Sequence, residues 1–175
     1  LDPKYGDFGT PEQYVPDGPA PQMDWETCQT MNNNWSYVEH DHDWKSSTVL
    51  IRELIDVVSL GGNYLLNIGP KGDGSIPEPT IRIMTEVGEW MEVNGEAIYG
   101  TTKSPIGHPD FDGRITTKGD VHYLHLFSRP ESGVLSVPFK GKKATLLAQD
   151  QGTTTIHLPK KLPDAKATVI RLDPM

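Results

Sequence analysis

The 175 residues hold 16 Lys and Arg against 24 Asp and Glu, a formal charge of −8. That acidic balance excludes nucleic acid and anionic membrane as main partners, since both select basic surfaces. No apolar run approaches the roughly 18 residues a membrane helix needs. The single Cys28 excludes an internal disulfide and an all-Cys zinc site, and Gly with Pro fall short of a low-complexity composition.

The chain starts Leu1-Asp2-Pro3, with neither Met nor a basic-plus-apolar leader. Such a start is expected of a piece cut from something longer, or of a chain whose leader has been removed. Residues 1–47 have no sustained period. They carry Pro3, Pro11, Pro16, Pro19 and Pro21, with Tyr5, Phe8, Tyr14, Trp25, Trp35, Tyr37 and Trp44. A disordered tail would be poor in aromatics, so this stretch reads as an ordered, loop-built binding surface. Leu50, Ile51, Leu54, Ile55 and Val58 then mark one face of a helix. Ser46, Ser47 or Thr48 can cap its start, and Gly61 or Gly62 ends it. Tyr64-Leu65-Leu66-Asn67-Ile68 reads as a parallel strand buried on both faces. Ile83, Met84, Val87, Trp90 and Met91 predict a second helix, with Pro77 or Pro79 in its first turn. After Tyr99-Gly100 come short β-rich runs at Val121–Phe127, Val134–Phe139, Lys143–Ala148, Thr153–Leu158 and Ala167–Leu172. Turns at Pro130-Glu131-Ser132-Gly133 and Asp150-Gln151-Gly152 separate them, as in a small antiparallel sandwich.

Several residues invite chemistry. Glu12 lies in a Pro/Gly-rich loop between Phe8 and Tyr14, and aromatic surroundings would favour its neutral form; the plain alternative is a solvated carboxylate. Glu26 follows Trp25, and its plain reading is structural: a buried Glu that orients the loop through backbone hydrogen bonds. His40-Asp41-His42-Asp43 would put both imidazoles on one side of a strand, but no partner cluster supplies further ligands, and a charged solvated loop suffices. Gly61-Gly62-Asn63 precedes a strand, and Gly72-Asp73-Gly74 lacks the Lys-Ser/Thr ending, so both are turns and not phosphate loops. Asn67 interrupts an apolar strand, either facing a site or satisfying internal hydrogen bonds.

Five blocks, in order and spacing, resemble the α-L-fucosidases of glycoside hydrolase family 29. They are Gly6-Asp7-Phe8-Gly9-Thr10-Pro11-Glu12, Trp25-Glu26-Thr27-Cys28, Trp35-Ser36-Tyr37, the run from Ser59 to Pro70, and the run from Asn94 to Thr101. The resemblance implies an α/β plus all-β chain: the C-terminal portion of a (β/α)8-like barrel over residues 1–100, then an antiparallel β-sandwich over 101–175. A full barrel takes roughly 250 residues. Its first half, with the family's nucleophilic Asp, fucose-binding His residues and an Arg, is therefore expected upstream. An open parallel edge invites aggregation, so residues 1–100 are expected to be stable only against that half.

The implied activity is retaining hydrolysis of terminal L-fucose from glycans or glycosides, which needs two carboxyl groups. The resemblance assigns Glu12 as acid/base, with Glu26 as rival acid/base or structural residue. It sets Trp35 against the bare methyl of the 6-deoxy sugar, where the family has Gly in place of Ser36; the plain alternative is a core Trp. It implies no cofactor and no metal. The expected partners are a fucosylated substrate and the upstream barrel segment of the same enzyme, with no nucleic acid and no membrane. A secreted, periplasmic or lysosome-like compartment is expected from the family alone. The competing reading is a non-catalytic carbohydrate-binding or scaffolding unit. Residues 101–175 offer it only Phe111, Tyr123, Phe127 and Phe139, and no Trp.

Overall fold

The computed structural model describes residues 6–17, 21–139, 141–146, 149–150 and 156–174. The Leu1-Asp2-Pro3 start, Tyr5, Pro19 and the Gln151-Gly152 turn lie outside them, as do parts of two predicted strands at 147–148 and 153–155.

Strand β1 (Glu26–Thr30) is followed by α1 (Ser47–Ser59), β2 (Asn63–Asn67) and α2 (Glu78–Asn94) with a 3-10 turn at Gly95–Ala97. β1 and β2 pair in parallel, from Glu26 opposite Asn63 to Thr30 opposite Asn67. A third segment runs parallel along the other edge of β1, bridging Gly9 to Trp25 and Glu12 to Cys28. Its ladder includes Glu26 N–H to Gly9 O at 2.9 Å, Cys28 N–H to Pro11 O at 3.2 Å and Gln13 N–H to Cys28 O at 3.0 Å. Pro11 has no N–H to complete the alternation, so regular strand is not sustained there.

α1 begins and ends as its sequence dictates. Ser46 accepts from Val49 N–H at 3.3 Å. At the other end Gly61, at φ +77°, donates to Val58 O and Gly62 to Val57 O, both at 3.0 Å. That pair of bonds closes the helix in a Schellman turn, which needs the left-handed residue Gly61 supplies. The Trp25 indole then lies so near Gly62 that an added Cβ would be 2.4 Å from the ring. The Gly-Gly pair is thus a helix stop and an indole seat. In α2, Pro77 holds the N-cap position and Pro79 lies in the first turn, where a missing N–H costs nothing.

The remaining strands are β3 (Gly113–Lys118), β4 (Val121–Leu126), β5 (Val134–Leu135), β6 (Gly141–Leu146), β7 (Gln149–Asp150), β8 (Ile156–His157) and β9 (Thr168–Pro174). They pair antiparallel as one five-stranded sheet, ordered β3-β4-β9-β6-β7, and one small β5-β8 pair. Period-two alternation gives the large sheet two apolar faces. Ile115, Leu124, Leu126, Ile170 and Leu172 pack toward Leu135, Ile156 and Leu158. Tyr123 and Val169 pack toward Ile51, Ile55, Trp90 and Ala97, on the helix side. Polar welds reinforce that contact: Trp90 Nε1–H to Ala167 O at 2.9 Å, and Arg52 to Phe127 O at 2.6 Å and Lys166 O at 3.0 Å. Arg114 joins them with an ion pair to Asp56 at 2.6 Å. Among the described residues no helix is long and apolar enough to cross a membrane.

Two expectations need correction. β2 is parallel but is not buried on both faces. Tyr64 and Leu66 pack on the helix side, while Leu65 points the other way and is 53% exposed, because nothing in the described chain covers that face. Residues 26–30, within the stretch read as loop, form a strand.

Candidate active site

The two faces of the parallel strands differ in kind. On the helix side Trp25 is buried with Val57 and Leu60. Thr27 Oγ1 donates to Tyr14 O at 2.9 Å, and Gln29 Oε1 accepts from Lys45 Nζ at 3.0 Å. Lys45 also pairs with Glu53 at 3.1 Å, and Tyr64 OH donates to Glu53 at 2.7 Å. Desolvation, then the Glu53 charge, push the Tyr64 phenol above its ordinary range, so it stays a donor. This network ties both strands and α1 to the end of the 32–45 loop.

The opposite face is open, and it gathers the residues of interest. In-register neighbours on parallel strands point the same way. Glu26 and Asn63 therefore form one row, Glu12, Cys28 and Leu65 the next, and Thr30 and Asn67 the last, nearest the C-terminal edge. Glu12 and Glu26 share this face, with Glu12 one strand over and two residues, ~6.6 Å, further toward the C-terminal edge. Just after Glu12 the chain turns out of the ladder at Gln13, at φ +61°. A left-handed Gln costs about 1–2 kcal/mol. Gln13 is held there by its N–H to Cys28 O and by its amide to Thr30 Oγ1 at 3.0 Å.

Glu12 is exposed in this chain. Phe8 and Tyr14, expected to desolvate it, are themselves 52% and 55% exposed, so they do not enclose it. Glu26 is partly buried. Trp35 is 42% exposed and so is not a core residue. It rides the loop that leaves the C-terminal end of β1, and its carbonyl accepts from Asn67 Nδ2 at 2.6 Å. Inside that loop Asp41 accepts from Asn34 Nδ2 at 2.6 Å and from the N–H groups of Asn33 and Asp43, both at 3.1 Å. Desolvation alone would raise the Asp41 pKa, but these bonds together hold it below the usual carboxylate value. Asp41 is thus a loop brace in the His-Asp-His-Asp run, and His40 and His42 are exposed.

Two open clefts lie elsewhere. One, about 700 Å³, is lined by Phe111, Arg129 and Glu131 among others; the second, about 500 Å³, lies beside Asp24, Asn63, Tyr99 and Lys103 at the N-terminal strand ends. Neither includes Glu12, Glu26 or Trp35.

The family model for Alpha-L-fucosidase matches residues 2–96. The chain belongs to the α-L-fucosidase family. It is 36% identical over 132 residues to the alpha-L-fucosidase of Dictyostelium discoideum, covering 70% of this chain and 28% of that protein. Alpha-L-fucosidase isoenzyme 1 from Paenibacillus thiaminolyticus superposes with a TM-score of 0.88 at 34% identity, over 96% of this chain and 45% of that one. A Bacteroides thetaiotaomicron GH29 alpha-L-fucosidase, trapped as a covalent intermediate with 2-fluoro-fucosyl fluoride using a Glu-to-Gln mutant, gives 0.85 at 30% identity, over 96% and 43%. This chain thus spans under a third of the first relative and under half of either structure. Within the α-L-fucosidase match, the register of Glu12 with Cys28 escaped the sequence reading, since no local pattern encodes it. Asn67 did leave a signal, as the polar residue ending an apolar strand.

Proposed function

We propose that this chain supplies the acid/base half of a retaining α-L-fucosidase site. The reaction cleaves terminal L-fucose from glycans or glycosides. One carboxylate attacks the anomeric carbon. Glu12 gives its proton to the leaving oxygen, then takes one from the water that opens the fucosyl-enzyme. The nucleophile comes from polypeptide outside these 175 residues, as does the rest of a (β/α)8-like barrel whose C-terminal part is residues 1–100. Residues 101–175 form an antiparallel β-sandwich that backs it. Among the described residues the parallel strands, with helices on one face only, support the first assignment, and the two antiparallel sheets support the second. The solved relative trapped as a covalent intermediate with 2-fluoro-fucosyl fluoride supports covalent catalysis.

The observation that carries the reading is the shared open face. Glu12 lies in the row nearer the C-terminal strand ends, where parallel α/β folds hold their ligands, and Trp35 leaves from those same ends. Glu26 lies one row deeper. The upstream barrel segment and the sugar close that face and exclude water from around Glu12. Trp35 supplies an apolar wall for the C6 methyl.

The test uses the enzyme assembled with its upstream segment. Glu12→Gln should cut hydrolysis of an unactivated fucoside by roughly 10²–10⁴-fold. Azide should restore turnover of p-nitrophenyl α-L-fucoside and yield the α-azide, since azide then meets a fucosyl-enzyme that no longer has its base. That signature from Glu26→Gln, with Glu12→Gln near wild type, transfers the role to Glu26. This chain alone should be inactive or nearly so; full activity from it would refute the external nucleophile.

A further inference from the structure

We infer that Asn67 is a positioning residue that sets sugar specificity, by fixing where the Trp35 indole stands. This deepens the proposed role of Trp35 and rests on it. Trp35 is 42% exposed on its loop, and its backbone has a defined anchor. Asn67 is the last residue of β2, and its Nδ2–H donates to the Trp35 carbonyl at 2.6 Å. That bond links the aromatic directly to a strand end. The chain after Asn67 closes against the same spot. Gly69, at φ +54°, lies against the backbone of residues 35–37, with an added Cβ 3.7 Å from both Trp35 O and Tyr37 N. Lys71 lies over the Tyr37 ring, its ammonium 5.6 Å from the centroid.

The loop is stiff elsewhere too. Asp41 gathers Asn33, Asn34 and Asp43, and Lys45 ties the loop end to Met31 O at 2.8 Å and to Glu53. A loop braced in its middle and pinned at its base moves as a body, and the Asn67 bond fixes that body against β2. The ligand end concerned is C6 of the sugar, a methyl in a 6-deoxy hexose and a hydroxymethyl in its parent. A wall held at methyl distance rewards the first and crowds the second. The side chain acts through the backbone of Trp35 and does not touch the reacting atoms.

The experiment measures kcat/KM of the assembled enzyme for p-nitrophenyl α-L-fucoside and p-nitrophenyl α-L-galactoside, which differ only at C6. Asn67→Asp keeps the shape but turns an oxygen toward the Trp35 carbonyl; Asn67→Ala removes the group; Asn67→Gln retains an amide donor. Asn67→Asp and Asn67→Ala should lower the fucoside preference roughly tenfold, the size of a one-group pocket discrimination. The loss should appear mainly in fucoside KM, with an unchanged pH profile for the neutral Asn67→Ala, and Asn67→Gln should recover part of it. Trp35→Ala is run beside them. If it leaves the preference unchanged, the methyl-contact reading falls and takes this inference with it. If Trp35→Ala lowers the preference while Asn67→Ala does not, the role of Asn67 alone is overturned. Equal loss on both substrates, with the ratio intact, marks a purely structural Asn67 and overturns it as well. Should Asn67→Asp fail to fold, Asn67→Ala decides.

Discussion

Gly62 has no room for a methyl group. Its hydrogen faces the Trp25 ring, and an alanine Cβ would lie 2.4 Å from it. The same indole donates to Leu60 O at 3.3 Å, closing the C-terminal turn of α1 onto β1. Gly62→Ala must therefore displace a buried Trp, and overpacking of this kind costs about 1–3 kcal/mol. The expected result is a lowered denaturant midpoint with an unchanged m-value. Gly61 is a different case, needed for its left-handed φ and not for space, as a Cβ there would meet only Lys103 side-chain carbons at 3.4 Å or more.

At the scale of elements, the junction of α1 with β3 turns on Asp56 and Arg114. Burial raises the Asp56 pKa, and the Arg114 guanidinium opposes that rise. Arg114 also faces the Phe127 ring at 5.6 Å, with Arg52 over the same ring at 4.9 Å. Asp56→Ala would leave Arg114 partly buried without its partner, at a cost of about 1–3 kcal/mol, read as a fall in unfolding free energy that Asp56→Ala with Arg114→Met partly recovers. The two helices were legible from sequence because their apolar residues keep a 3.6-residue period. β4 and β9 were legible because their apolar residues cluster. β1 was not, because its inward positions are Thr27 and Gln29, whose polar groups are satisfied by Tyr14 O and Lys45. β3 was missed similarly: Thr116, fully buried, gives its proton to Ala97 O at 2.7 Å. Tertiary hydrogen bonds let polar residues occupy buried strand positions, and no hydropathy period records them. The candidate site followed the same division. Glu12, Glu26 and Trp35 were named from motif resemblance, whereas their common face is a matter of register between segments distant in sequence.

For the molecule as a whole, acid stability has an identifiable contributor in His125. It is fully buried on β4, against Thr116 Oγ1 at 2.9 Å. Since Thr116 spends its proton on Ala97, His125 donates from Nε2, leaving Nδ1 a bare buried acceptor. Desolvation depresses its pKa from 6.5 to about 3. The unfolded chain takes up this proton below pH 6.5, while the fold resists until pH about 3. Its stabilising effect is therefore complete above 6.5 and is lost as pH falls toward 3, at up to about 1.4 kcal/mol per pH unit. Denaturant unfolding of His125→Gln should show a shallower decline over that window; an identical slope would contradict the assignment. A last consequence concerns α1. It grips Trp25 through Val57 and the antiparallel sheet through Ile51 and Ile55. A wedge clamped from both sides cannot shift without releasing one jaw. Fraying of the C-terminal strands thus slackens the backing of β1 and β2, so the parallel strands should lose their order at the temperature at which the antiparallel sheet melts.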